Sequence, residues 1–211
     1  MEVTVWWARL ADARPSHVDL LDPVERERRA AYRLDADRDR FTTGVAVSRT
    51  VLDRLLRRPP EAVPLDRTCP SCGRPHGRPR LPGDGPPFVS VSHAGGLVPV
   101  AVADSPATGV GVDVEPASAD VDGLADQVLS PAERASGGGR PDAVLRIWAR
   151  KEAVLKARGT GLSNPMSSFS VDHPPADLSL RDLTWAGPTY LACVAVRGPA
   201  GPPLVVRELA A

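Results

Sequence analysis

Two long helical segments, each followed by short valine-rich strands, place the strongest constraint on the fold of this 211-residue chain. Over residues 38–57 the apolar side chains recur at intervals of three and four, which is the spacing of one buried helix face. A second long helix is predicted over residues 142–158, where Gly159 follows the last turn. Because both halves offer helices followed by strands, the sequence predicts an α+β fold and permits two similar halves, although it contains no visible internal repeat.

The shorter elements complete an N-terminal half, residues 1–107, and a C-terminal half, residues 108–211. Further helices are predicted over residues 22–34 and, after the capping residue Ser130, over residues 131–135. Short runs rich in β-branched residues and bounded by turn residues indicate strands. These runs are Val3–Leu10, Phe88–Ser92, Val98–Ala103, Thr108–Glu115, Phe169–Asp172, Leu178–Trp185, Thr189–Val196 and Leu204–Glu208.

The charge balance limits the classes of partner. Lys and Arg together number 26, Asp and Glu also number 26, and the formal net charge is zero. Proteins that bind nucleic acid through its phosphates use a broad positive field, which this composition does not provide. We therefore expect no nucleic-acid partner, and we expect any phosphate to be bound by local groups.

Cysteine usage and apolar runs indicate the compartment. Cys69, Cys72 and Cys193 are too few and too irregularly spaced for a secreted disulfide scaffold, which favours a reducing environment. The N-terminal residues lack a charged leader with an apolar core, and no run of about 18 apolar residues occurs. The chain is therefore expected to be cytoplasmic, with no membrane partner.

Two carboxylates stand at alternate positions of a predicted strand, in the sequence Gly-Val-Gly-Val-Asp-Val-Glu at residues 109–115. Because side chains alternate across a strand, Asp113 and Glu115 share one face while Val112 and Val114 share the other. Like charges this close are tolerated at a solvated surface or around a cation, and oxygen ligands suit Mg²⁺. The pattern alone leaves both interpretations open.

The second long helix carries Trp148, Glu152 and Lys156 at intervals of four, so these side chains lie along one side of it. This spacing is also typical of a surface ion pair worth about 0.3–0.5 kcal/mol. A third carboxylate beside a lysine resembles what phosphoryl transfer needs, since a cation neutralises phosphate charge and a lysine stabilises the leaving group. The segment Gly159-Thr160-Gly161-Leu162 ends the same helix.

Taken together, Val-Gly-Val-Asp-Val-Glu at residues 110–115 and Trp-x-x-Lys-Glu-x-x-x-Lys-x-x-Gly-x-Gly-Leu at residues 148–162 resemble the Sfp-type 4'-phosphopantetheinyl transferase family. The resemblance spans about residues 20–165. Three further segments are similar to that family: the basic helix around Arg26 to Arg29, Gly77-Arg78-Pro79, and Val91-Ser92-His93-Ala94-Gly95. The basic helix departs from the family pattern by placing the acidic Glu25 where a basic residue is common.

The resemblance implies a fold and an activity. The fold would be a pseudo-dimer of two α+β halves, monomeric in solution, with coenzyme A bound at their junction. The activity would be the Mg²⁺-dependent transfer of 4'-phosphopantetheine from coenzyme A to a serine of an apo carrier protein. The partners it implies are acyl or peptidyl carrier proteins of fatty acid, polyketide or nonribosomal peptide synthases.

The same resemblance assigns roles to the acidic residues and their lysine. Asp113, Glu115 and Glu152 would be the protein ligands of Mg²⁺ on the pyrophosphate. Glu152 would also be the general base for the carrier serine, directly or through a water. Lys156 would lie beside the pyrophosphate and stabilise the departing adenosine 3',5'-bisphosphate.

The N-terminal half would supply the remaining contacts to coenzyme A. The resemblance implies that Ser92 and His93 help to hold the molecule, with His93 and Arg28 near its 3'-phosphate. Arg78 would lie nearby. Among the arginines of the basic helix and its neighbourhood, Arg28 is favoured over Arg26 and Arg40.

Residues 58–87 are rich in proline, glycine and arginine, which predicts a long irregular connection. Within it, Cys69 and Cys72 are followed by His76, which together can supply three ligands to Zn²⁺. A closed structural zinc site uses four ligands, and no second Cys-x-x-Cys occurs in the sequence. The favoured interpretation is a loop with reduced thiols, and zinc is the alternative.

Two alternatives to the transferase have different consequences. A non-catalytic module that binds coenzyme A or a carrier protein would keep the cleft without turnover, but it has no need for three carboxylates and Lys156. A different Mg²⁺-dependent phosphotransferase would need its own phosphate-binding motif. The sequence contains no Gly-x-x-x-x-Gly-Lys-Ser/Thr loop and no kinase-like set.

Overall fold

A computed structural model describes residues 1–69, 72–83, 85–161, 164–199 and 204–211. Within these ranges the chain forms a mixed α+β structure with two β-sheets, which confirms the predicted class. The helices are α1 (Pro23–Ala31), α2 (Asp35–Leu56), α3 (Leu124–Val128), α4 (Pro131–Ala135) and α5 (Pro141–Arg158). The strands are β1 (Glu2–Arg9), β2 (Phe88–Val91), β3 (Leu97–Ala103), β4 (Gly109–Pro116), β5 (Leu178–Asp182), β6 (Tyr190–Arg197) and β7 (Val205–Ala210).

The first sheet has the order β2-β3-β1-β7 and is covered on one face by α2. The β1–β3 and β2–β3 pairs are antiparallel, whereas β1 and β7 are parallel. Val51 and Leu52 of α2 pack on Val98 and Val100 of β3. Leu52 is completely buried, and burial of such a side chain stabilises the fold by about 1.5–3 kcal/mol. The predicted apolar face of this helix is therefore confirmed as a core element, except at Leu55, which was predicted to be buried and is 52% exposed near the end of the helix.

The second sheet has the order β4-β6-β5, all antiparallel, and α5 covers it. Val110, Val112 and Val114 of β4 point away from α5 into a core that they share with Val3 and Val5 of the first sheet. The carboxylates of β4 are therefore on its α5 side, as the alternation predicted. Both faces of this strand are covered, which explains its run of small and apolar residues.

Gly109 and Gly111 let α5 lie directly against β4. A Cβ atom at Gly109 would collide with the carbonyl oxygen of Ala157, and one at Gly111 would collide with the carbonyl oxygen of Ala153. Neither obstacle is a flexible side chain, so the helix itself would have to move. The two glycines thus set the distance between the acidic strand and the helix that carries Glu152.

Replacing Gly111 by alanine is expected to lower the free energy of unfolding by about 1–3 kcal/mol or more, because the added methyl group overpacks against helix backbone. The measurement is urea unfolding followed by circular dichroism. Gly139→Ala is the matched control, since a Cβ atom there meets nothing within 4 Å. Equal unfolding midpoints for the two variants would show that α5 does not depend on this close approach.

The strand predicted at Phe169–Asp172 is wrong, because this segment is irregular and follows a short 3-10 turn at Met166–Ser168. Its backbone is satisfied by buried side chains and not by a neighbouring strand. The Phe169 carbonyl accepts a hydrogen bond from Lys151 Nζ at 2.6 Å, and the Val171 amide donates to Glu133 Oε1 at 2.9 Å. The short helix α3 was not predicted from the sequence.

Strand β7 ties the end of the chain to its beginning. It pairs with β1, so the C-terminal half contributes a strand to the sheet of the N-terminal half. Glu208 of β7 also accepts hydrogen bonds from the backbone amides of Thr184 and Trp185, at 3.1 Å each. These bonds end β5 earlier than predicted, at Asp182. The first sheet therefore contains strands from both sides of residue 108, and the pseudo-dimer stays a prediction.

The connection at 58–87 is irregular over its described residues, as predicted, apart from a 3-10 turn at Pro60–Ala62. An isolated bridge between Asp66 and Arg80 closes it into a loop. Among the described residues, no helix is both long enough and apolar enough to span a membrane.

Candidate active site

Three residues from different elements meet where the two sheets adjoin. Ser92 directly follows β2, Asp113 lies in β4, and Lys156 lies in the last turn of α5. Lys156 Nζ donates to Asp113 Oδ1 at 2.7 Å and to Ser92 Oγ at 3.1 Å. Ser92 Oγ in turn donates to Asp113 Oδ1 at 2.8 Å. The structure therefore brings together three residues that the sequence analysis placed in one site.

Asp113 is the most deeply buried member of this cluster, with 3% of its surface exposed. Its Oδ1 atom accepts both hydrogen bonds, whereas its buried Oδ2 atom has no hydrogen-bond partner among the described residues. A buried carboxylate oxygen without a donor is costly. An oxygen in this position is suited to a cation.

Glu115 and Glu152 face the same space. Burial, and then the negative charge of Asp113, raise the pKa of Glu115 to about 7, although Trp148 Nε1 donates to Glu115 Oε1 at 3.2 Å. Burial also raises the pKa of Glu152, and the charge of Asp113 adds to this effect while Lys156 opposes it. The carboxylates thus oppose one another's ionisation, which a bound cation would relieve.

The three carboxylates fit a hydrated hard cation. The ligand atoms of the three carboxylates do not all lie within 4.8 Å of one another. Among the described residues, that spacing is found for Cys69, Cys72 and His76. Mg²⁺ usually keeps several waters and takes further oxygens from phosphate, so it needs only one or two direct carboxylates. The orphaned Asp113 oxygen and the raised pKa values of its neighbours match that requirement.

His93 lies at the edge of the cluster, in the turn after Ser92, with its ring exposed. Desolvation lowers its pKa, and the positive charges of Lys156 and Arg40 act in the same direction. Arg40 reaches this turn directly, because its Nε atom donates to the Gly95 carbonyl at 2.9 Å. Arg40 is therefore closer to His93 than the preference for Arg28 implied.

Arg28 contacts α2 and the connection that follows it, whereas Arg78 contacts the end of α5. Arg28 packs over the ring of Phe41, the residue after Arg40, with its guanidinium carbon 5.2 Å from the ring centroid. Arg26, by contrast, donates to the Leu21 carbonyl at 2.8 Å. The guanidinium of Arg78 lies against Gly159, where a Cβ atom would approach its Cζ atom to 2.8 Å.

The acidic Glu25 has a structural explanation. Its side chain and that of Asp22 cap the start of α1, with Asp22 N donating to Glu25 Oε2 at 3.0 Å. The same oxygen accepts from Arg49 Nη2 at 2.8 Å, and both partners are buried. Glu25 therefore anchors α1 to α2 and leaves Arg28 on the outer side.

Arg67 is a candidate that the sequence analysis missed. It lines a cleft of about 310 Å³ together with Arg28 and Pro75. Burial lowers the pKa of Arg67 to about 10, and the neighbouring charge of Arg28 acts in the same direction. Asp22, Glu25 and Asp66 line the same cleft, so its charge is mixed, with Glu25 partly offsetting the effect of Arg28 on the pKa of Arg67. No pattern in the irregular segment 58–87 distinguishes this arginine from its neighbours.

Lys151 is the second residue without a predicted role, although it belongs to the Trp-x-x-Lys-Glu pattern. It is completely buried and points to the opposite side of α5 from Lys156. Its Nζ atom donates to Glu133 Oε2 at 2.6 Å. Lys151 therefore supports the helix, while Glu152 and Lys156 face the site. Leu162, the last residue of the pattern, lies outside the described residues.

Comparison with known proteins shows a family similarity over part of the chain. The model of the 4'-phosphopantetheinyl transferase superfamily matches residues 109–196, which include β4, α5 and β6. A 4'-phosphopantetheinyl transferase of Bacillus subtilis is 30% identical over 101 residues, which cover 46% of this chain and 44% of that protein. The chain thus spans less than half the length of this curated relative. The family match includes Asp113, Glu115, Glu152 and Lys156 and leaves out the N-terminal candidates.

Proposed function

We propose that the chain is a member of the 4'-phosphopantetheinyl transferase superfamily, whose model matches residues 109–196, and that it is a holo-carrier-protein synthase of the Sfp type. It transfers 4'-phosphopantetheine from coenzyme A to a serine of an apo acyl or peptidyl carrier protein. Adenosine 3',5'-bisphosphate is the second product, and the reaction depends on Mg²⁺. We further propose that the protein works as a monomer in the cytoplasm.

The observation that carries this proposal is the environment of Asp113. Its carboxylate is buried, and one of its oxygens has no hydrogen-bond partner among the described residues. Glu115 and Glu152 beside it have raised pKa values, and Lys156 donates a hydrogen bond to its other oxygen. A surface ion pair would not bury these groups at the junction of two sheets. The arrangement is what a phosphate-bound cation and a developing negative charge require.

Asp113, Glu115 and Glu152 would hold the cation. Bound Mg²⁺ would neutralise part of the pyrophosphate charge. Glu152 accepts the proton of the carrier serine hydroxyl as the serine oxygen bonds to the β-phosphorus of coenzyme A.

Lys156 acts on the leaving group. As the bond from the β-phosphorus to the bridging oxygen breaks, negative charge develops on adenosine 3',5'-bisphosphate. The Lys156 ammonium donates to Asp113, to Ser92 and to the Val112 carbonyl, and it would exchange one of these partners to donate a hydrogen bond to that oxygen. In the N-terminal half, Ser92, His93, Arg28 and Arg78 would contact coenzyme A, with its phosphates nearest the guanidinium groups.

The experiment that tests this function is intact-mass spectrometry of apo carrier proteins incubated with the protein, coenzyme A and Mg²⁺. We expect a mass gain of one phosphopantetheine that disappears without Mg²⁺ and with Glu152→Ala. Asp142→Asn, which changes a carboxylate at the other end of α5, is the matched control and keeps the activity. No gain on fatty-acid, polyketide and peptide carriers, despite measurable binding of coenzyme A, would support the non-catalytic binding module instead.

Lys156→Ala is expected to lower kcat by about 100-fold while changing the affinity for coenzyme A much less, because the lysine acts on charge that develops in the transition state. Steady-state kinetics and calorimetric titration with coenzyme A separate the two quantities. Arg146→Ala removes a positive charge from the exposed side of the same helix and serves as the control. A large loss of affinity with unchanged kcat would make Lys156 a binding residue.

A further inference from the structure

We propose that Cys69, Cys72 and His76 form a Zn²⁺ site in the connection between α2 and β2, separate from the magnesium site. From the sequence alone, the favoured interpretation is a loop with reduced thiols, because only three ligands are present. The structure adds that the two sulfur atoms and an imidazole nitrogen lie within 4.8 Å of one another. Cys69 is half-buried, whereas Cys72 and His76 are exposed.

The distances fit tetrahedral zinc. With Zn–S and Zn–N bonds of about 2.3 and 2.0 Å, tetrahedral angles separate the ligand atoms by about 3.5–3.8 Å. The Cys72 Sγ and His76 Nε2 atoms are 2.9 Å apart, so a small outward movement of exposed side chains would admit the ion. Deprotonation of the two thiols on binding would release protons and supply the thiolate ligands.

The backbone already holds the ligands in position. The Gly73 amide donates to the Cys69 carbonyl at 2.8 Å, and the Cys69 amide donates to the Arg74 carbonyl at 2.8 Å. Gly73 has a φ of 70°, a left-handed conformation that favours glycine. At the far end of the turn, the Gly77 amide donates to the Arg67 carbonyl at 2.7 Å. This folded turn reduces the entropy that metal binding has to overcome.

The types of ligand in this group favour Zn²⁺ over Mg²⁺ and Ca²⁺. Two thiolates and one imidazole are typical of Zn²⁺ and unsuited to Mg²⁺ or Ca²⁺, which take oxygen ligands. Within the described ranges no fourth cysteine, histidine or carboxylate joins the group. The fourth position would therefore be taken by water, and the site would exchange its metal more readily than a closed four-ligand site.

The site would stabilise a loop that touches the coenzyme A region, a consequence that rests on the proposed function. Arg28 Nη1 donates to the Pro75 carbonyl, next to His76, at 2.9 Å. Arg78 follows His76 by two residues and lies against Gly159 at the end of α5. Zinc would thus hold one stretch of backbone between two arginines proposed to contact phosphate.

Metal analysis of the untagged, reduced protein tests the site without reference to activity. We expect stoichiometric zinc after purification without chelators, and intense sulfur-to-metal absorption when Co²⁺ replaces it. Cys72→Ser and His76→Gln should each lower zinc affinity at least about 10-fold. Cys193→Ala and His173→Gln remove a cysteine and a histidine outside the loop and should keep full zinc content.

Three results would overturn the proposal. The first is protein without zinc that also shows no sulfur-to-metal absorption with Co²⁺. The second is zinc content unchanged by Cys72→Ser and His76→Gln, which would indicate adventitious binding only. The third is a Cys69–Cys72 disulfide in protein kept under reducing conditions, seen as a mass deficit of two hydrogens.

The link to coenzyme A has its own measurement. Removing zinc is expected to raise the KM for coenzyme A several-fold with little change in kcat, and re-addition of Zn²⁺ should restore it. Unchanged kinetics in zinc-free protein would separate the loop from coenzyme A binding while the site itself stands on the metal analysis. If no carrier is modified at all, the proposed function fails and the zinc measurements are unaffected.

Discussion

Replacing Asp113 by alanine is expected to nearly abolish phosphopantetheine transfer, with a loss of about 100-fold or more in kcat/KM. Three features of the structure produce this effect: Asp113 offers the buried unpartnered oxygen, anchors Lys156 and orients Ser92. A cation site contributes several kcal/mol of charge stabilisation to such a reaction, and each 1.36 kcal/mol corresponds to about tenfold in rate. Glu152→Ala is expected to have a similar effect, since it removes a ligand and the base together.

Asp113→Asn separates charge from shape, because it keeps the volume of the side chain and removes its negative charge. We expect it to fold, to lose most of its activity, and to need a higher Mg²⁺ concentration for half-maximal rate. Asp142→Asn provides the comparison for a carboxylate away from the site, at the start of α5. Near-normal rates for Asp113→Ala or Glu152→Ala would overturn the assignment of these residues to the metal.

The acidic residues and the lysine of the site could be predicted because they lie in a strand and a helix, whose side chains repeat at regular intervals. Asp113 and Glu115 share a face because strands alternate, and Glu152 and Lys156 share a side because helices repeat every three to four residues. Gly159 ends α5 in a left-handed conformation, with a φ of 71°. The same local rules predicted α2 and six of the strands with bounds close to those in the structure.

The remaining features depend on contacts that no local pattern records. The strand predicted at 169–172 failed because the buried groups of Lys151 and Glu133 satisfy its backbone from elsewhere in the sequence. The proximity of Arg40 to His93 depends on how the turn between β2 and β3 meets α2, and the burial of Arg67 depends on how the long connection folds. The parallel pairing of β7 with β1 joins opposite ends of the chain, and neither strand signals its partner.

The environment of Lys151 gives the largest expected effect on stability. Its Nζ atom is buried and lies 2.6–2.8 Å from four acceptors, which share its three N–H groups: Glu133 Oε2 and the carbonyl oxygens of Val128, Met166 and Phe169. Desolvation by itself raises the pKa of Glu133, but hydrogen bonds from Lys151 and from the backbone outweigh it and leave the pKa lowered. The pair therefore stays ionised and connects α4, α5 and the irregular segment that follows them.

Lys151→Met is expected to lower the free energy of unfolding by about 3–5 kcal/mol, because it leaves the Glu133 carboxylate buried without its partner. Urea unfolding, followed by tryptophan fluorescence and circular dichroism, measures the change. Arg146→Met on the exposed side of α5 should change stability by less than about 0.5 kcal/mol. The double variant Lys151→Met with Glu133→Gln should be more stable than Lys151→Met alone, since it removes the uncompensated charge. A double variant less stable than the single one would show that the carbonyl contacts of Lys151, and not its charge pair, hold this region together.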